Sequence, residues 1–441
     1  MTACAHATRR SIFDQAWPII LGQALVPTVG LVDAAVIGRT GDPVALGGVA
    51  LGAAVVTLIF WAFGFLRMGM SGLSAQAVGA SDRPEVEALL LRGLLVGFLL
   101  GLAVLALHPF ILPMILHLMG APAPVHAEGM AFATARMAGA PAALAGYAIN
   151  GWLIGLGRTK SALLLQIVLN GANILFDILL VAGFGMGARG VGIGTAAAEW
   201  LTLGAGVAVA LGVAGVGPRT LLTQSRHRLM ERAALRRLFS VNADIMVRTL
   251  ALLILFTWFT HAGARQGTTT LAANHILLQF VSLSAFVLDA FAFTAEARVG
   301  GAIGAGSREA FRRSVRLTGE FTLLAGLFFS LLFLTAGGPA IRFMTTDEGV
   351  RAAAITMLPY TALIPTLGGP SWLLDGIFIG ATETRPMRNS ALAVLLLYLA
   401  TDWLLRPFGN HGVWIALLST YATRAGSLLL CLPGLMRRHN L

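Results

Sequence analysis

Apolar positions along this chain fall into long runs, separated by short segments that hold most of the arginines. A helix needs roughly 20 apolar residues to cross a bilayer core. Runs of that kind lie near 15–38, 44–70, 93–118, 128–156, 161–184, 190–214, 240–262, 269–297, 315–337, 350–379, 389–406 and 412–433. The pattern predicts twelve membrane-spanning helices. The third, fourth, eighth and tenth runs are long enough to hold bends or interfacial turns.

Composition narrows the class further. Of 441 residues, 57% are hydrophobic and only 12% charged, with a mean hydropathy of +0.80. Soluble domains carry about 25% charged residues, so half the charge needed to wet a soluble surface is missing. That excludes a cytosolic enzyme, a nucleic-acid binder and a secreted module, and leaves an all-α polytopic protein whose partner is the lipid bilayer. The net charge of +11 does not restore a nucleic-acid partner, because 30 arginines and the single Lys160 punctuate apolar runs. Cys4 and Cys431 lie near opposite ends and suggest neither a disulfide framework nor a metal site. Arg9–Arg10 precede an apolar stretch from Ile12 to Ile37, too long for the core of a cleavable signal.

The basic residues orient the chain. With both termini cytoplasmic, inner segments hold 21 of the 31 Lys and Arg. The outer loops hold six, and Arg67, Arg136, Arg248 and Arg424 remain within spans.

Sliding the sequence on itself by 225 residues aligns it without a gap across some 140 positions. Gly79-Ala80 meets Gly304-Ala305, Asp177 meets Asp402, and NGWLIG at 150–155 meets DGIFIG at 375–380. An offset of six helices is even, so both halves share one membrane orientation, as in parallel-repeat transporters. The predicted division is an N-lobe over 1–215, an Arg-rich cytoplasmic connector over 216–237 and a C-lobe over 238–441. Two pseudo-equivalent lobes suit alternating access, so transport is the expected activity.

Charged side chains inside a membrane are costly and ask for a partner, a cavity or a proton. Gln166, Asn170, Asn173 and Asp177 are spaced 4, 3 and 4, so they share one face of helix 5. The equivalent face of helix 11 reads Ala391, Leu395, Tyr398 and Asp402. Asp33 in helix 1, Asp177 and Thr195 in helix 6 come out at similar depth at 1.5 Å per residue. Two carboxylates so placed should not both ionise freely, which suits a proton relay or a site that trades a proton for a cation. An interhelical hydrogen-bond seam is the plainer alternative. Pro18 and Pro27 each remove a helical donor from helix 1 and offer a place to bend. Asp289 and Asp375 in helices 8 and 10 could meet a cationic substrate or pair with Arg248 or Arg424, whereas Glu199, Asp244 and Glu320 read as structural or interfacial. Phe60, Phe63 and Met68 in helix 2 could line a cavity for varied ligands, lipid-facing packing being the common alternative.

Other signals carry no chemistry. The G-x-G-x-x-G at 185–190 joins two membrane helices and lacks the strand a dinucleotide site requires. No H-E-x-x-H, G-x-S-x-G or P-loop is present, and the nine histidines do not cluster. Neither an enzyme nor an ATP-driven pump is expected, and no cofactor beyond a coupling ion.

Four phrases in register, LVDAAVIGRTGDPVALGGVALG (31–52), FLRMGMSGLSAQAVGA (65–80), LDAFAFTAEARVG (288–300) and LLDGIFIGATETRPMRNS (373–390), resemble the multidrug and toxic compound extrusion (MATE) family, closest to its bacterial DNA-damage-inducible DinF branch. The resemblance implies two six-helix lobes around a V-shaped cleft in a bacterial inner membrane. It also implies antiport of organic cations or other toxic lipophilic compounds against H⁺ or Na⁺, with no metal beyond Na⁺ at Asp33 and Asp177. On the same basis Asp33, Asn173, Asp177, Asn150 and Thr195 form the coupling site. Relatives with a helix 4 tyrosine near the outer end differ from this chain, which has none over 127–146. No feature demands a second chain, so a monomer is expected. The competing expectation is a flippase of the same wider superfamily for a lipid-linked anionic precursor, which would need Arg67, Arg136, Arg248 and Arg424 to face a basic cavity.

Overall fold

Every apolar run is helical in the computed structural model, which describes residues 7–441; Cys4 lies outside the described residues. Among these residues there is no strand. The first half contains α1 (Arg9–Gly38), α2 (Pro43–Ala62), α3 (Phe65–Gly79), α4 (Arg83–Leu118), α5 (Ala123–Met137), α6 (Ala140–Gly155), α7 (Thr159–Asp177) and α8 (Gly187–Ala214). Helix α9 (Pro218–Leu229) lies in the connector. The second half contains α10 (Arg232–Ala264), α11 (Thr268–Gly304), α12 (Arg308–Met344), α13 (Glu348–Gly380), α14 (Thr384–Leu405) and α15 (Gly409–Arg438).

Ten stretches among the described residues are long and apolar enough to cross a membrane. The last of them, Thr384–Arg438, turns at Arg406–Phe408 and holds two crossings, α14 and α15. The broken pair α5–α6 adds one more, so the crossings number twelve. Helix ends reach beyond the apolar runs: α12 begins at Arg308 rather than near 315, because a long arginine stem can lie along a helix while its head stays wet. Side-chain caps fix several starts. Asp42, Asp82, Ser307 and Asp347 each accept a backbone N–H from the first turn that follows.

Interruptions follow run length only in part: of the four long runs the fourth breaks, and the third, α4, does not. The second crossing breaks at Phe63–Gly64 and the fourth at Ala138–Gly139, whereas the eighth and tenth, α11 and α13, are continuous. Local chemistry decides this rather than length. Pro141 and Gly139 restart the fourth crossing, and a side chain at Gly139 would overlap the Glu199 carboxylate. The corresponding positions of α11 and α13 pack as unbroken helix. Gly97 and Gly101 allow close packing, bringing α4 against the backbone of α6 at Leu144 and Pro141.

Two compact units result. One comprises residues 21–74 and 82–238, the other residues 1–20, 75–81 and 239–441. They differ from a division at the connector in three places: the connector belongs with the first unit, while the start of α1 and the end of α3 belong with the second. Within the first unit α2 packs on α5, α4 on α6 and α7 on α8; within the second, α11 packs on α12 and α13. The connector is tied down by polar contacts: Arg228 donates to both Asp82 oxygens at 2.9 Å, and buried Arg92 bonds Glu85 and the Arg228 carbonyl. In the second unit the ends of α3 and α11 cross at Gly79 and Gly304, each facing the other helix's backbone with no room for a side chain. These two glycines are one another's partners under the 225-residue offset.

Candidate functional site

The polar face of α7 is brought against α1 and α8. Asp33, Asn173, Asp177 and Thr195 are all buried there, with Asn173 and Asp177 fully so. Asn173 Nδ2 stands 3.1 Å from Asp177 Oδ2, 3.0 Å from Thr195 Oγ1 and 3.3 Å from Asp33 Oδ1. The Asp33 and Asp177 carboxyl groups also lie within hydrogen-bonding range of each other. The Thr195 hydroxyl donates to the Val191 carbonyl at 2.9 Å and is spent.

Donors are scarce in this cluster. The Asn173 amide has two N–H groups facing three acceptors, while Asp177 Oδ1 and Asn173 Oδ1 receive no hydrogen bond from any donor among the described residues. A buried acceptor-rich site of this kind lacks positive charge or protons. One proton shared between the two carboxyl groups would supply a donor. The same oxygens would suit a hard cation such as Na⁺, which prefers carboxylate, carbonyl and hydroxyl ligands.

Two local features hold the site. Gly194 leaves room for Asp177, since a Cβ there would overlap Asp177 Oδ1. Directly after Asp177 the chain widens into a π turn over Ile178–Gly183, an irregularity often found at functional positions. One turn toward the start of α7, Asn170 donates to the Leu25 carbonyl at 2.9 Å and the Thr28 hydroxyl at 2.7 Å, and receives a bond from Gln166 at 3.1 Å. These contacts flank Pro27. Helix α1 runs through both Pro18 and Pro27 without interruption.

From Leu21 to Val36, Asp33 is the one buried residue. The outer part of α1 is therefore held mainly by polar ties, through Asp33 and through the Leu25–Thr28 turn.

Not every expected residue joins the cluster. Asn150, half-buried in α6, is not among its hydrogen-bond partners. It lies eleven residues past Gly139, about 16 Å along the helix. Phe60 is buried beneath the Arg136 guanidinium, 5.1 Å from its ring centroid, while Phe63 and Met68 are half-buried around the α2–α3 break.

Sequence reasoning gave too little weight to Arg136 and Glu199. They form a buried two-point ion pair between α5 and α8, and the Arg136 charge acts on both Asp33 and Asp177. The available signal was an arginine and a glutamate each alone in an apolar run, where a partner is nearly obligatory.

In the second unit, Asp375 accepts from both Arg248 and Arg424, all three buried, and Asp289 adds its charge to both arginines. Three of the four membrane arginines are thus matched by carboxylates within their own unit. That leaves little of the basic cavity that a flippase for anionic lipid would need. Asp244 pairs with Arg388, and Glu320 with Arg9 and Arg316.

The MatE family profile matches this chain twice, over residues 18–179 and 245–404, one copy in each half. The chain is 35% identical to DNA damage-inducible protein F of Escherichia coli, covering 98% of this chain and 92% of that one. It is 23% identical to a probable multidrug resistance protein NorM of Halalkalibacterium halodurans, covering 96% and 93%. Its fold matches the Vibrio cholerae MATE transporter VcmN in the bent form with a TM-score of 0.86 at 20% identity, over 100% of this chain and 99% of that one.

Proposed function

Because the chain belongs to the MatE family of membrane transporters, we propose that it is a secondary active efflux antiporter. It exports lipophilic organic cations or similar toxic compounds in exchange for protons, from a bacterial inner membrane with both termini cytoplasmic. The multidrug resistance named for its NorM relative supports the substrate class. The observation that carries the coupling is the donor-poor pair of buried carboxyl groups, Asp33 and Asp177, joined through Asn173.

Charge at Asp33 sets how α1 is held. Deprotonated, Asp33 accepts from Asn173 and its charge answers that of Arg136. Protonated, it loses that attraction and becomes a donor to Asp177. Since α1 has little apolar grip over Leu21–Val36, this exchange changes a main tie of the helix to α7. Movement near Pro18 and Pro27 would then reshape the wall of the first half and release substrate outward.

The test uses proteoliposomes loaded with ethidium, under a pH gradient and then a Na⁺ gradient, for wild type and Asp33→Asn. Efflux driven by the pH gradient and reduced to the protein-free background in Asp33→Asn supports the reading. Undiminished gradient-driven efflux in that variant overturns it, and efflux under the Na⁺ gradient alone replaces the proton with Na⁺.

A further inference from the structure

A different cluster, built from the starts of α1 and α12, has no part in that chemistry. A recess of about 1010 Å³ in the second unit is bounded by the start of α1 and the first three turns of α12. Six arginines line it: Arg9, Arg10, Arg308, Arg312, Arg313 and Arg316. Glu309 is the one acid on its wall.

The placement of these arginines opposes helix stability. Arg308, Arg312 and Arg316 recur at intervals of four, so like charges stand one turn apart on one face. They also occupy the start of α12, where the helix dipole disfavours cations. Internal acids answer only some of them. Arg9 and Arg316 share Glu320, at 3.0 and 3.1 Å, and Arg10 lies 3.9 Å from Asp14. Arg308, Arg312 and Arg313 are exposed and form no ion pair among the described residues. Residues 1–6 contain no acid that could answer them.

The recess is not only basic. Leu317 lines it and belongs to a small apolar cluster with Ala7, Ile12 and Phe321. Further along α12, Leu324, Phe328 and Leu331 are more than half exposed, a strip that faces hydrocarbon in a bilayer. The arginines therefore sit where a membrane's phosphate layer meets its acyl chains.

We propose that this recess is a binding site for the headgroup of an anionic phospholipid, its phosphate held by Arg308, Arg312 and Arg313 and its acyl chains lying along the outer face of α12. A phosphate diester answers the unpaired guanidiniums by two-point hydrogen bonding. The apolar strip favours a lipid over a soluble anion carrying the same phosphate. Bound there, a headgroup would bridge the starts of α1 and α12.

The experiment is native mass spectrometry of the purified full chain titrated with phosphatidylglycerol, phosphatidylcholine and soluble glycerol phosphate, for wild type and for Arg308→Gln/Arg312→Gln/Arg313→Gln. Each arginine near an anionic headgroup favours binding by roughly fivefold, so the triple variant should lose phosphatidylglycerol affinity by on the order of a hundredfold. Phosphatidylcholine binding should stay unchanged. Equal retention of both lipids by wild type overturns the proposal and needs no variant to fold. Glycerol phosphate bound as tightly as the lipid also overturns it, since the site would then take a soluble anion. Triple replacement by lysine keeps the cytoplasmic charge that orients the chain, so its partial retention of phosphatidylglycerol separates headgroup binding from a change of topology.

Discussion

Under the 225-residue offset, Asp33, Asn173 and Asp177 of the first half correspond to Trp258, Tyr398 and Asp402 of the second. One carboxylate is common to both sites, but its surroundings are opposite. Asp177 faces a second carboxyl group and has an oxygen with no donor. Asp402 accepts from the Trp258 indole at 3.0 Å and from Arg265 at 3.0 Å. The same backbone scaffold thus holds a carboxylate short of protons in one half and a fully answered one in the other. A group whose charge is already balanced has little to gain from a proton, so the comparison supports the proposed exchange in the first half and a structural role in the second. Helix continuity follows the same division: the crossings broken at Phe63–Gly64 and Ala138–Gly139 are in the first half, and their counterparts α11 and α13 are unbroken.

The sharpest way to break this comparison is to remove the same charge from each half. Asp33→Asn should bring gradient-driven ethidium efflux to background, whereas Asp402→Asn should leave efflux near wild type. Its cost should be about 1 kcal/mol of stability, the worth of a partly exposed ion pair with Arg265. Equal loss of coupling in the two variants would mean that both halves exchange ions.

Stability should respond most at Asp375. This carboxylate is the partner of two buried guanidiniums, Arg248 and Arg424. Breaking a buried ion pair by removing one member costs about 3–5 kcal/mol. Asp375→Asn should lower the thermal midpoint in detergent far more than Asp33→Asn does. Its first-half counterpart is the uncharged Asn150. The halves therefore carry buried ion pairs of different residues on equivalent helices. A midpoint unchanged in Asp375→Asn would show that the two arginines find other acids, with Asp289 the first to inspect.

Much of this was legible in the sequence for a plain reason. Membrane crossing, the 225-residue repeat and the spacing of polar residues along α7 are local or periodic properties, and each survives reading in one dimension. Asp33, Asn173, Asp177 and Thr195 could be placed together because helix rise converts residue number into depth. What escaped was partner choice across helices. Depth arithmetic does not give azimuth, so the Arg136–Glu199 pair and the convergence of Arg248 and Arg424 on Asp375 required the packed bundle. The position of the fourth crossing's break escaped for a related reason: Gly139 is needed because Glu199 occupies the space beside it, and nothing near Gly139 in the sequence announces Glu199.

Gly194 tests the packing behind the proposed coupling site. A methyl group there would overlap the Asp177 carboxylate and approach its backbone nitrogen to 3.1 Å. Past the outer loop the halves match at 222 residues, Gly190-Val191 meeting Gly412-Val413, so the second-half counterpart is Ala416, which already carries that methyl group. Gly194→Ala should cost about 1–3 kcal/mol through overpacking and impair coupled efflux, while Ala416→Gly in the second half should leave efflux unchanged. A Gly194→Ala variant with normal stability and efflux would show that Asp177 can turn aside without consequence, which would weaken its place in the exchange.

The smallest effect should come from giving the first half one residue of the second. Asn170 corresponds to Leu395, and Asn170→Leu removes its bonds to the Leu25 carbonyl and the Thr28 hydroxyl. A hydrogen bond of this type contributes about 1 kcal/mol net, roughly a fivefold change in any equilibrium that makes or breaks it. Those two bonds flank Pro27 and hold the part of α1 that lacks apolar grip. If α1 moves during transport, loosening this turn should change the efflux rate severalfold without altering which ion drives it, because Asp33 and Asp177 remain. If α1 stays fixed, the same substitution should lower stability slightly and leave the rate alone. Measuring rate and thermal midpoint on one preparation separates a helix held only for architecture from one whose hold is part of the transport cycle.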